Sequence, residues 1–165
     1  MTRTLTYAAL VTILAVPALS GKKDKDAEAA PAMDPASAEA VVEYRHNLFE
    51  SMGKHMKLSS YIVKGKVDAK GDMLLHAQAL HGASMSIPNL FPAGTGPDAF
   101  PKTEALPSIW EDSAGFAQAA KNFQDASAKL VEVAQAGDLE GFKAQFGQVG
   151  KTCGGCHDSF RKDDD

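Results

Sequence analysis

The sequence predicts an all-α fold, an up-down-up-down antiparallel four-helix bundle. Three observations carry this reading: an alanine-rich composition poor in aromatic β-formers, four stretches of helical apolar periodicity, and turn signals that leave one long crossover. The chain has 165 residues, 44% hydrophobic and 23% charged, with eight Phe, three Tyr and one Trp. Alanine enters helices at the lowest entropic cost, while strands draw on β-branched and aromatic residues. The formal charge of −4 gives no basic footprint for nucleic acid.

The elements follow in order. Arg3 precedes an uncharged, mostly apolar run from Leu5 to Leu19, and Ala18-Leu19-Ser20 offers small residues at a cleavage site. This is the layout of a secretory signal peptide over residues 1–20. The run has about 15 residues where a bilayer crossing needs roughly 20, so no stable membrane insertion is expected after cleavage. Export would place the domain in the periplasm, where thiols tend to oxidise. Residues 21–35 are charged, with Ala and Pro and no apolar period, and read as a flexible linker. The bundle is expected over 36–162, with an acidic tail at 163–165.

Asp34-Pro35 is an N-cap acid followed by proline at the first helical position. Apolar residues then recur at Val41, Leu48, Met52, Met56 and Val63, flanked by Tyr44 and Phe49, which predicts the first helix. Gly65 and Gly71 bracket a connection to a second helix over 72–86, with Leu74, Ala77, Leu80 and Ser84 on one side. Five prolines between 87 and 109 forbid a continuous helix and predict a long irregular crossover, a kind of loop that is often functional. The third helix is expected to begin between Trp110 and Ser113. It continues through Phe116, Ala119, Phe123, Leu130 and Val133 and ends at Gly137. Asp138 caps the fourth.

In that last helix Leu139, Phe142, Phe146, Val149, Cys153, Cys156 and Phe160 are spaced 3, 4, 3, 4, 3, 4. This is the apolar seam of a bundle helix, and both cysteines lie on it. Cys153-Gly154-Gly155-Cys156-His157 matches C-x-x-C-H, the haem attachment signature. Two thiols three positions apart on a helix point to the same side, so both can bond one edge of a porphyrin. The histidine that follows can turn its imidazole to the iron as the proximal ligand. Gly154 and Gly155 leave room for close approach. Zinc normally takes four ligands. A thioredoxin-type pair needs a helix N-terminus, and this pair lies near a C-terminus. A disulfide within one helical turn would be strained and close almost no loop. One covalent haem c inside the bundle is therefore the reading, with His157 on the iron.

The chain also resembles the cytochrome c′ family, the class II c-type cytochromes, over roughly 36–162; cytochrome c′ is itself one of the known up-down-up-down bundles. The resemblance rests on Tyr44-Arg45, Lys64-Gly65, Leu106-Pro107-Ser108-Ile109-Trp110, and the stretch from Gly150 through Cys153-Gly154-Gly155-Cys156-His157 to Lys162. It implies that Arg45 lies by a haem propionate, unless it is a solvated surface residue, and His46 beside it is a second candidate for that contact. Counting back from Lys64-Gly65, it places Phe49 over the distal face of the iron. Phe49 has no lone pair, which implies a five-coordinate, high-spin iron. Met52 and Met56 are the alternative ligands, or core filler. Arg161 matches a position near the proximal imidazole, or serves as a partner of the helix C-terminus, and Glu104 matches the haem edge. His55, His76 and His81, like His46, are expected on the surface.

Two functions remain. One is soluble electron transfer to redox partner proteins. The other is binding of nitric oxide or carbon monoxide, because an apolar distal side admits small neutral ligands and lacks a donor to stabilise bound oxygen. No acid, base or nucleophile converges on the distal side, so no enzymatic activity is expected. Family members are often dimers through the first two helices, which makes a homodimer a further expectation.

Overall fold

The structure is a computed structural model, and residues 33–162 are described. The signal peptide, nearly all of the linker and the acidic tail expected from the sequence lie outside the described residues. The elements are α1 (Pro35–Val63), α2 (Met73–Ser86), the one-turn α3 (Ser108–Glu111), α4 (Ser113–Gln135) and α5 (Leu139–Phe160), with 3₁₀ turns at Lys70–Asp72 and Ile87–Asn89. Helices α1, α2, α4 and α5 form the four-helix bundle, and the described residues contain no strand beyond one isolated bridge between Ala105 and Arg161.

The helix ends follow the capping rules. The Asp34 carboxylate accepts the Ser37 amide at 3.1 Å, and Pro35 sits where its missing N–H costs nothing. Asp112 and Asp138 cap α4 and α5 the same way, each accepting an amide at 2.9 Å from Gly115 and Gly141. Helices α1 and α4 stop on glycines with positive φ, Gly65 at 63° and Gly137 at 66°. In each case the amides after the C-cap turn back onto the last turn: Lys66 N–H to Tyr61 O at 2.8 Å, and Asp138 N–H to Val133 O at 3.2 Å. Those bonds form Schellman closures, in which a left-handed residue is required.

Each helix packs along its sequence neighbours. α1 lies on α2, α2 on α4, and α4 on α5, whereas α1 and α5 meet only sparsely. Phe142 and Val149 of α5, Leu130 of α4 and Leu80 of α2 are fully buried between them. Polar serines fill the narrow α2–α4 crossing, where Ser127 Oγ lies 3.4 Å from Ser84 Oγ.

The buried seam of α1 differs from the apolar stripe expected there. Its buried positions are Ala38, Arg45, Met52, Ser59 and Ile62, while Val41, Leu48, Met56 and Val63 are only half-buried and Tyr44 is exposed. The reason is that one flank of α1 faces open space instead of a neighbouring helix. On α4 likewise, Ala119 and Val133 flank a buried line of Phe116, Ala120, Phe123, Ser127, Leu130 and Ala134. The crossover also contains more regular structure than its prolines foretell. Pro88 sits in one 3₁₀ turn, and Pro107 opens the separate turn of α3 ahead of the Asp112 cap.

Three histidines expected on the surface are not fully exposed. His76 is buried on the core face of α2 next to Ala77, and its Nδ1 lies 3.0 Å from Nδ1 of the half-buried His55. His81 is half-buried with Nδ1 3.2 Å from Ser127 Oγ. An imidazole tolerates such positions when a partner takes its polar atoms.

Candidate functional site

The gap between α1 and α5 is a cavity of about 1320 Å³. It exceeds the roughly 300–1,000 Å³ of ordinary small-molecule sites, so it has room for a macrocycle. On the α1 side Phe49, Met52 and Met56 line it; on the α5 side Cys153, Cys156 and His157 do. Helical spacing explains both sets. Residues 49, 52 and 56 recur every three or four positions on the flank of α1 that no helix covers. Residues 153 and 156 continue the seam begun by Phe142 and Val149 along α5, which meets α1 only sparsely.

Both cysteines are half-buried and His157 is exposed, so the motif lies at the edge of the cavity. Burial pushes the Cys153 thiol up, and burial followed by the neighbouring Cys153 pushes Cys156 up to about 11. Both are neutral thiols at neutral pH. Redox-exchange cysteines show the opposite shift. Among the described residues, no three His, Cys, Asp or Glu side chains converge to hold a metal ion by themselves, so a zinc site lacks its donors.

Arg45 is only 3% exposed, and its guanidinium points into the crossover. It donates to Thr95 Oγ1 at 2.8 Å, Thr95 O at 2.6 Å, Thr103 Oγ1 at 2.8 Å and Leu90 O at 3.4 Å. The same group lies 4.8 Å from the centre of the Phe91 ring. Phe91 in turn packs on Phe49 at 6.2 Å and edge-on against Phe116 at 4.9 Å. Arg45 is therefore no surface residue. It ties the crossover to α1 while lining the cavity. Thr95, Thr103 and Phe91 are functional positions that the sequence did not single out: they lie in an aperiodic loop, and nothing local marks them as partners of a residue about 50 positions earlier.

Glu104 and Arg161 are brought together. Arg161 Nε donates to Glu104 Oε2 at 2.9 Å, and the adjoining backbone is stitched by Lys162 N–H to Glu104 O at 2.8 Å and Leu106 N–H to Phe160 O at 3.0 Å. This pins the crossover beside the last turn of α5, which carries His157. His46 is exposed and lines the cavity mouth.

A covalently held macrocycle with carboxylate side chains fits these residues. Two neutral thiols face a void wide enough for it, and an apolar wall stands opposite. The wall also holds Arg45, a buried cation with no carboxylate partner among the described residues. A buried charge of that kind calls for a compensating anion.

The cytochrome c′ family profile matches residues 40–161. The chain belongs to the cytochrome c′ family. Among its relatives is cytochrome c′ of Pararhodospirillum photometricum, 39% identical over 127 residues that cover 77% of this chain and all of that protein. Cytochrome c-554 of Cereibacter sphaeroides is 31% identical over 153 residues, covering 90% of this chain and 98% of the other. Among solved structures, ferric cytochrome c prime from Alcaligenes xylosoxidans superposes with a TM-score of 0.70 at 34% identity, covering 77% of this chain and 97% of that one. A nitric oxide complex of a variant of the same protein gives the same score and coverage. As a cytochrome c′, the chain has haem c as its cofactor. Cys153 and Cys156 would carry its two thioether bonds and His157 would ligate the iron, which would supply one-electron chemistry and could take a small ligand.

Proposed function

We propose that this cytochrome c′ is a periplasmic electron carrier with a five-coordinate, high-spin haem, and that it is not an enzyme. The observation that carries the proposal is the placement of the attachment motif: His157 is exposed and the two cysteines are only half-buried. Redox partner proteins can therefore approach the cofactor edge through that side. Phe49 supports the five-coordinate state, because it lines the cavity from α1 and has no atom to donate. Met52 and Met56 line the same wall and are the competing ligands. The ferric absorption and EPR spectra decide between them. A high-spin signal without a methionine-to-iron charge-transfer band fits Phe49 as a cover; a low-spin spectrum lost in Met52→Leu or Met56→Leu contradicts it. Electron self-exchange measured on the same sample tests the carrier role.

A second reading, binding of nitric oxide or carbon monoxide, is favoured by the same apolar wall. Arg45, the strongest donor near it, is committed to the crossover. The nitric oxide complex of the Alcaligenes xylosoxidans relative is in line with this chemistry. Nitric oxide affinity, and the tolerance of a deletion strain to nitric oxide, separate this role from electron transfer. A homodimer through α1 and α2 would cover Tyr44, Leu58, Leu75 and Met85, large apolar side chains left exposed on those helices.

A further inference from the structure

Outside the haem cavity, α1 and α2 are bridged by a pair of imidazoles. His55 Nδ1 and His76 Nδ1 lie 3.0 Å apart, with ring centroids at 5.2 Å and ring planes inclined by 57°. Neither ring lines the cavity. We propose that His55 and His76 form a two-nitrogen site for a divalent transition metal of tetragonal preference, a cupric ion above all, on the α1–α2 seam.

Geometry selects the class of ion. Metal–imidazole bonds run about 2.0–2.1 Å, so two of them at a right angle set the nitrogens about 2.9 Å apart, while tetrahedral bonds would set them about 3.4 Å apart. The observed spacing matches the right angle, the arrangement of tetragonal copper or nickel, and copper heads the affinity order for nitrogen donors. The two rings already share this spacing as a hydrogen-bonded pair, in which one Nδ1 carries a proton and the other accepts it. On binding, that proton passes to Nε2 of its own ring, leaving two Nδ1 lone pairs for the ion and releasing no proton overall.

Several features hold the pair ready. His76 is 7% exposed and fixed among the core residues of α2, so little side-chain freedom is lost when it ligates. Burial, and then the neighbouring His55, hold its pKa below the ordinary value, which keeps the ring neutral and able to donate to a metal. Asp72, one turn before His76, is exposed and close enough to act on the ring's charge, so it favours an added cation. His55 is half-buried and opens the site to solvent. No third His, Cys, Asp or Glu converges with the pair among the described residues, so water completes the coordination.

The test is a copper(II) titration of the matured, haem-loaded ferric protein, followed by EPR near the free-electron position. The expected result is one equivalent bound, with hyperfine structure from two imidazole nitrogens. His55→Gln and His76→Asn should each weaken it by about 10–100-fold or more, since even an outer-shell change causes such a loss. His76→Asn keeps a polar side chain in the buried slot, and helicity and the haem spectrum recorded on the same samples show whether fold and cofactor are intact. The proposal is overturned if the two-nitrogen signal survives in folded variants, if wild type binds copper no more tightly than the double variant, or if only one nitrogen is seen.

Discussion

Arg45 shows how far a single residue reaches. Its fork joins α1 to three points of the crossover and holds Phe91 beneath Phe49. Removing it as Arg45→Gln should lower unfolding stability by about 3 kcal/mol, because buried acceptors lose a charged donor. Hydrogen exchange should rise across residues 90–103, and denaturant melts of the matured protein check the stability change. Phe142, fully buried, should lose about 3–5 kcal/mol as Phe142→Ala. His76 sets a pH dependence. Its folded pKa lies below the ordinary 6.5, first through burial and then through His55, with Asp72 opposing. The unfolded chain therefore takes up the proton first. The contribution is full above about pH 6.5 and is lost as pH falls through the lowered value. Melts between pH 7.5 and 5 should show this loss in wild type and a weaker slope in His76→Asn. At this scale the sequence was most readable where chemistry is local. Cys153, Cys156 and His157 declare themselves within five residues, whereas Arg45 finds its partners only through the fold.

At the scale of elements, helices and caps were read almost to the residue, because caps act within four positions. Asp34 and Asp138 cap the helices the sequence assigned to them, whereas Asp112, which the sequence did not single out, caps α4. Gly137 makes this testable. It has φ 66°, and nothing lies within 4 Å of the point where an alanine methyl would stand. Gly137→Ala should therefore cost about 1–2 kcal/mol purely from the left-handed backbone. Gly147, inside α5 with equally open surroundings and an ordinary φ, should instead gain about 0.5–1 kcal/mol on substitution by alanine. Thermal melts of the pair separate backbone strain from crowding. What periodicity could not show was the division of α1 into a helix-facing and a cavity-facing side. An apolar residue on either flank gives the same pattern, yet Ile62 is buried among the helices where Phe49 and Met56 border the void.

For the whole molecule, the telling feature is an incomplete bundle. Three of its helix contacts are well packed and the fourth, α1 against α5, is sparse. A four-helix core with one seam open forfeits packing there, and a bound group filling that seam stabilises the native state by mass action or, when covalent, permanently. Replacing both cysteines with alanine should therefore leave α1 the first helix to exchange its amides, while α4 and the buried half of α5 stay protected. Covalent attachment of the haem is tested most directly by the intact mass of the matured protein, measured together with thiol alkylation. The expected result is a polypeptide heavier by one haem, with Cys153 and Cys156 both refractory to the reagent. A polypeptide of unmodified mass with two reactive thiols would contradict it.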